Sequence, residues 1–291
     1  MKVSVLLLTY NHSRFLRHAL DSALSQRTTF DVEIVIGEDC SSDGTRDMVI
    51  EFARSYPDRV RAVLSPTNLG ECGNIAQTLA ACRGDYVALL DGDDYWTADH
   101  KLQRQVDYLD AHPGCSLSFH NALAFHDDGA QESYPFNGPE QRAAPSLEDL
   151  WGGNFIATCA AMFRRSACPS LPSWYRMLPW GDWPLFILAA RTGSLAFIDE
   201  PLGAYRIHAA GAWSRLSEVE QILQVIGFYE AMNVNLALEY DGIIQTMIAK
   251  HYQALALAYE RAGDQSRARA CRELWAARTT PIEGREGGRT T

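Results

Sequence analysis

The sequence holds no concentration of lysine and arginine, no C-x-x-C pair and no long hydrophobic run, and each absence removes a class of function. Lysine and arginine number 26 against 36 aspartates and glutamates, a formal net charge of −10. The basic residues are scattered, so a surface that neutralises a nucleic-acid backbone is not expected. The seven cysteines, at 40, 72, 82, 115, 159, 168 and 271, are odd in number and lack metal-site spacing. They argue against a zinc site and a disulfide framework, and they favour a reducing compartment. No run approaches the roughly 18 apolar residues of a membrane-spanning helix, and the opening Met1 to Leu8 is too short for a secretion-signal core. The expectation is a cytoplasmic protein without a transmembrane segment, with peripheral attachment at the inner membrane surface left open. The segment Thr9-Tyr10-Asn11-His12-Ser13 contains no glycine. That disfavours a dinucleotide-dependent oxidoreductase, which needs a glycine-rich turn after its first strand, and a nucleotidyltransferase with a glycine-rich basic opening loop.

What is present is an ordinary globular composition, 47% hydrophobic and 21% charged, able to bury a core. Val3 to Leu8 is a continuous apolar run, as expected of a strand covered on both faces. Phe15, Leu16, Ala19, Leu20, Ala23 and Leu24 then recur at helix spacing. The alternation repeats: strand 32–36 and helix 45–55, strand 60–64 and helix 73–82, strand 86–90 and helix 101–111. This predicts an α/β fold with a mostly parallel sheet flanked by helices. Further on, the pattern predicts strands over 116–125, 155–163 and 195–198, a loop over 127–145 and a helix over 183–191. Three helices follow over 218–238, 243–261 and 265–277, and a disordered tail over 279–291 that contains Ile282-Glu283-Gly284-Arg285.

Ligands of a parallel sheet sit beyond the carboxyl ends of its strands, and the polar clusters fall there. After the fourth strand stands Asp91-Gly92-Asp93-Asp94. Its mutually repelling carboxylates read either as a solvated capping turn or as a site for Mg²⁺ or Mn²⁺, hard cations that share phosphate oxygens with a few protein carboxylates. After the second strand, Asp39 reads as an acceptor for a uracil or thymine imide or as part of a capping turn, with Ser41 or Asp43 starting the next helix. Tyr10 reads as a base-stacking ring or a core aromatic.

Together Thr9-Tyr10-Asn11, Glu38 to Thr45, Asn68-Leu69-Gly70 and Leu90 to Trp96 resemble glycosyltransferase family 2 over residues 1 to 213. The resemblance implies a GT-A fold, a Rossmann-like sheet that binds nucleotide sugars. Residues 1–112 would form the nucleotide-sugar half, 113–213 the acceptor half, and 214–278 a C-terminal helical region. It implies that Thr9, Tyr10, Asn11, Asp39 and Asn68 surround the nucleoside, that Asp91 and Gly92 meet the donor, and that Asp91 and Asp93 hold the metal with Asp94 beside them. Asp182, in Trp180-Gly181-Asp182-Trp183, stands where relatives carry a general base, with Gly181 in place of the usual acidic neighbour; a helix cap is the alternative. His208 would reach metal or diphosphate, and Arg206 would neutralise phosphate. The arginine that relatives carry after Asn68-Leu69-Gly70 is absent from Cys72-Gly73-Asn74, and Lys101 is a candidate to supply that charge.

The implied activity is an inverting transfer from a nucleotide diphosphate donor, a UDP-sugar first and a dTDP-sugar second. The acceptor hydroxyl would belong to a glycan, a lipid-linked glycan or a small metabolite. A non-catalytic sugar-nucleotide-binding protein on the same scaffold is the alternative. Trp151, Trp174 and Trp180 either line an acceptor groove or belong to the core, and the C-terminal helices either pack on the catalytic region or form a homodimer.

Overall fold

In the computed structural model, which describes residues 1–279, the early apolar runs are neighbouring strands. β1 (Val3–Thr9), β2 (Val32–Glu38), β3 (Val60–Leu64) and β4 (Tyr86–Asp91) lie in the order β3-β2-β1-β4, all parallel. β1 is buried at every position. Successive side chains point to opposite faces, so both faces are covered, and this is why the sequence shows a run instead of alternation. The connecting helices are α1 (Leu16–Leu24), α2 (Thr45–Ser55), α3 (Gly70–Ala81) and α4 (Lys101–Ala111). α3 begins three residues before its apolar pattern. The Asp39 carboxylate accepts from the Leu69 amide at 2.7 Å and the Asn68 side chain from the Gly70 amide at 3.0 Å, which satisfies donors that a helix start leaves unpaired.

The next hundred residues are less regular. They contain β5 (Tyr95–Trp96), β6 (Cys115–His126), β7 (Tyr134–Pro135), α5 (Leu147–Gly152), β8 (Ala161–Arg164), α6 (Asp182–Ala190) and β9 (Ser194–Ile207). The sheet continues β4-β8-β6-β9-β5, with β8 antiparallel to both neighbours and β6 parallel to β9. Two strands differ from expectation. Most of the stretch expected as a strand over 155–163 precedes β8, because residues 158–160 form a single 3₁₀ turn. The strand expected over 195–198 runs on to Ile207 through register shifts around Asn121 opposite Pro201. Proline donates no ladder hydrogen bond, so the sequence pattern breaks where the strand only bulges. That extension delivers Tyr205 and Arg206 to the acidic turn.

The chain divides into two compact units, Met1–Gly211 and one that begins at Ala212. The second contains α7 (Glu218–Asn235), α8 (Asp241–Arg261) and α9 (Gln265–Thr279). Ser217 and Glu220 form a reciprocal cap on α7, a pattern that satisfies two orphan donors at once. α7 stops short of its expected end because Ala237 and Leu238 adopt positive φ of 54° and 63°. Arg261 pairs with Glu218 at 2.6 Å and Asn233 donates to Asp241 at 2.7 Å. No described helix is long and apolar enough to cross a membrane. Of the tail expected to be disordered, Thr279 closes α9 and the rest lies outside the described residues.

Candidate active site

The loops after β1 and β2 are laced together at the carboxyl edge of the sheet. The Asn11 amide donates to Ser41 Oγ at 2.9 Å, the Ser42 amide to Asn11 Oδ1 at 2.9 Å, and the His12 amide to Thr45 Oγ1 at 2.9 Å. Asn11 takes a positive φ of 55°, a conformation that asparagine tolerates better than most residues. Asp43 accepts from the Ser13 and Thr45 amides, both at 3.0 Å. Burial works against its charged form, but these bonds and that from the Thr45 hydroxyl outweigh it and hold the carboxyl down at about 2. Asp39 is only 3% exposed, and burial raises its carboxyl despite the Leu69 and Gly70 amides. Asn68 also ties the loop, donating to the Asp39 carbonyl at 3.3 Å. Tyr10 stands open beside them, 46% exposed.

The acidic turn closes on this frame. The Gly92 amide donates to the Leu8 carbonyl at 2.7 Å. A Cβ at position 92 would lie 2.8 Å from both Thr9 Oγ1 and His12 Nδ1, so the approach admits only glycine. Asp93 Oδ2 lies 3.1 Å from His208 Nε2 and 3.6 Å from His12 Nε2. Burial raises Asp93, but the His208 hydrogen bond and the His12 charge prevail and keep it below the usual carboxylate range. Asp91 and Asp94 go the other way: burial and then repulsion from Asp93 push both well up. Asp94 is inside the protein, 2% exposed, and accepts from the Arg206 amide at 2.8 Å.

Asp182 opens α6. Its Oδ1 accepts from the Trp183 amide at 2.6 Å, and its Oδ2 from Asn154 at 3.0 Å and Thr158 at 3.4 Å. Burial raises its carboxyl although these donors oppose it. Its charge is felt at Asp91, so the base candidate and the acidic turn share one electrostatic neighbourhood. Glu71, on the first turn of α3, belongs there too. It accepts from the Gly181 amide at 2.9 Å, and the crowding of protein around it, then Asp182, push it up to about 7. The residue itself remains open to solvent.

Two expectations need correction, and one open alternative is decided for Trp151. Lys101 has no exposed surface, its ammonium stands 4.1 Å from the Trp96 ring centre, and burial lowers it to about 7; a side chain without surface does not reach a phosphate. Arg206 is engaged elsewhere. It donates to the Asp93 carbonyl at 2.7 Å, pairs with Asp127, and sits over Phe15 and Phe125 at 4.6 and 4.8 Å. It shapes the acidic turn from behind instead of offering charge to a phosphate. Trp151 is wholly buried and so lines no groove, whereas Trp174 and Trp180 are partly exposed. Sequence reasoning missed Glu71 and His12. His12 lies within a stretch already singled out and Glu71 between two of them, but only the fold reveals their neighbours.

A divalent cation is compatible with these residues. Among the described residues no three metal-binding side chains are gathered into a ready cage. A hard cation shared with a diphosphate does not need one, because water and phosphate complete its shell. Asp91 and Asp93, with His208 beside them, would be its donor set, and the mutual repulsion of the carboxylates is what a cation would relieve.

The comparisons agree with this geometry. The Glycosyl transferase family 2 profile matches residues 4–171. The uncharacterized protein Rv1520 of Mycobacterium tuberculosis is 38% identical over 212 residues, covering 72% of this chain and 60% of the relative; the chain thus spans less than two thirds of that relative's length. Among solved structures, S. aureus TarS (residues 1–349) in complex with UDP-GlcNAc superposes with a TM-score of 0.61 at 17% identity, covering 95% of this chain and 92% of TarS. The mannosyltransferase PcManGT from Pyrobaculum calidifontis, in complex with GDP-Man and Mn²⁺, gives 0.64 at 17% identity, covering 97% and 76%. At such identities the two structures speak for the fold alone. With the sheet order, the laced loops and the acidic turn already in place, the profile match identifies the chain as a member of glycosyl transferase family 2, with a GT-A fold.

Proposed function

We propose that this transferase is metal-dependent and inverting, moving a sugar from a nucleoside diphosphate to an acceptor hydroxyl. The observation that carries the reading is the shared neighbourhood of the acidic turn and Asp182. One set of carboxylates suits a cation and the other a proton. Asp91 and Asp93, with His208, hold Mn²⁺ or Mg²⁺. Bound there, such a cation supplies positive charge to a departing diphosphate. Tyr10 stacks on the base, while Asp39 accepts from the pyrimidine imide and its Oδ1 keeps the start of α3 in place. Asp182 takes the acceptor proton as the hydroxyl oxygen bonds to the anomeric carbon and the sugar–phosphate bond breaks on the opposite face. The configuration at that carbon inverts.

A UDP-sugar is the first donor and a dTDP-sugar the second. The UDP-GlcNAc bound by TarS supports the former, and the GDP-Man bound by PcManGT is the competing choice. The acceptor is a glycan, a lipid-linked glycan or a small metabolite, met in the cytoplasm or at the inner membrane surface. Exposed Leu223, Val234 and Leu257 of the second unit are the candidate face for a homodimer.

Calorimetry with UDP tests the metal reading. Mn²⁺ should strengthen binding to the wild type and lose that effect in the Asp91→Asn/Asp93→Asn double variant. Mn²⁺-dependent hydrolysis of UDP-glucose separates an enzyme from a protein that only binds its ligand. Equal UDP affinity with and without metal would overturn the cation reading.

A further inference from the structure

Position 181 raises a physical question that the proposed reaction leaves open. The family pattern sets an acidic residue beside the base, and here that residue is glycine. The structure shows why no side chain stands there. A Cβ at 181 would lie 2.3 Å from Ile75 Cδ1, 3.0 Å from the Tyr175 hydroxyl oxygen and 3.4 Å from Glu71 Oε1. The space is already filled from α3, and one of the groups filling it is a carboxylate.

We propose that Glu71 is a positioning residue for Asp182: reaching over from α3, it supplies to the start of α6 the acidic neighbour that residue 181 lacks. The inference rests on the reading of Asp182 as the base. Glu71 accepts from the Gly181 amide at 2.9 Å across 110 residues of sequence. That amide belongs to a helix start, where donors lack intrahelical partners and a negative charge is stabilised. The carbonyl of the same residue is held too, since the Tyr175 hydroxyl donates to it. Gly181, the residue leading into Asp182, is therefore gripped at both of its polar backbone atoms. α3 is itself anchored, by Asn74 donating to the Gly37 carbonyl at 2.9 Å and by Cys72 Sγ reaching the Leu178 carbonyl at 3.3 Å.

Electrostatics adds a second consequence. The groups that face the pair are Asp91 and Asp93 of the acidic turn, Tyr175, Cys72 of α3, and Tyr205 of β9, with Asn154 and Thr158 donating to Asp182. Arg176 also stands against α3, with Nη1 3.9 Å from where a Cβ at Gly73 would lie. Repulsion between two neighbouring carboxylates is mutual, so Glu71 strengthens the proton affinity of Asp182 as Asp182 strengthens that of Glu71. A base held closer to neutrality is better matched to an acceptor hydroxyl.

Glu71→Gln separates the two contributions, because it keeps an oxygen for the Gly181 amide and removes the charge; Glu71→Ala removes both. Carboxyl ¹³C titration of aspartate-labelled full-length protein should show the Asp182 midpoint falling by about one pH unit in Glu71→Gln. The acidic limb of Mn²⁺-dependent UDP-glucose hydrolysis should move the same way, with kcat about tenfold lower and donor KM unchanged. Glu71→Ala should lower kcat further, since the start of α6 loses its anchor. A folded Glu71→Gln protein with the wild-type Asp182 midpoint and wild-type kcat would overturn the proposal. The base reading fails differently: Asp182→Asn would then hydrolyse donor normally, while the ¹³C titration still reports whether Glu71 acts on Asp182.

Discussion

The two halves of the first unit hold their functional groups by different means. Up to α4, each polar cluster sits on a loop that follows a parallel strand, and neighbouring loops bond to one another. Beyond α4, Asp182, Asn154, Thr158 and Arg206 come from a helix start, a connecting stretch, a single 3₁₀ turn and the far end of a bulged strand. A regular repeat positions a ligand site through local geometry, whereas the later half converges on it only through long-range contacts. The family architecture thus has one half read from pattern and another read only from packing.

Disabling each half in turn should give different phenotypes. The largest effect is expected from Asp93→Ala, which takes a carboxylate from the acidic turn; kcat/KM should fall about a thousandfold or more, equivalent to several kcal/mol, with Mn²⁺-enhanced UDP affinity lost in calorimetry. Asp182→Asn should cost turnover about a hundredfold or more through loss of the general base, yet leave UDP and Mn²⁺ binding intact. If both variants lost binding equally, the division between donor half and acceptor half would be broken. Gly92→Ala sharpens the picture within the first half. Its methyl would meet Thr9 Oγ1 and His12 Nδ1 at 2.8 Å, a strain of about 1–3 kcal/mol, and the expected result is roughly tenfold weaker Mn²⁺–UDP binding.

Lys101 lies where the halves meet, and its replacement tests stability instead of catalysis. Burial lowers its folded-state pKa from 10.5 to about 7, so between those values the unfolded chain binds more protons than the folded one. Stability from this group therefore rises as pH increases from about 7 to about 10. Lys101→Met should stabilise the protein at neutral pH by on the order of 2 kcal/mol. The gain should shrink toward pH 10 in thermal melts, and a gain independent of pH would contradict the buried-charge account.

The legibility of the sequence follows the same division. Strands β1 and β4 were readable because burial on both faces leaves an unbroken apolar run, β2 and β3 because shorter apolar stretches recur between helical patterns, and the acidic turn because three carboxylates in four residues need an explanation. Lys101 was misread because a lysine that opens a helix is ordinarily solvated, and nothing local announces Trp96 beneath its ammonium. Glu71 could not be assigned, since its partner amide lies 110 residues away. The empty side chain of Gly181 was the one available signal. β9 was cut short in the reading because Pro201 resembles a stop, and only pairing with β6 shows that the strand continues.

Arg206 and His208 bear on the order in which the enzyme comes into being. The Asp93 carbonyl gains its guanidinium donor, and its carboxylate the nearer of two imidazoles, from residues more than a hundred positions downstream. Because Met1–Gly211 is one compact unit, and such units fold as wholes, the acidic turn is braced only once the far end of β9 is in place. The turn consequently cannot take its final form from the first half of the unit alone.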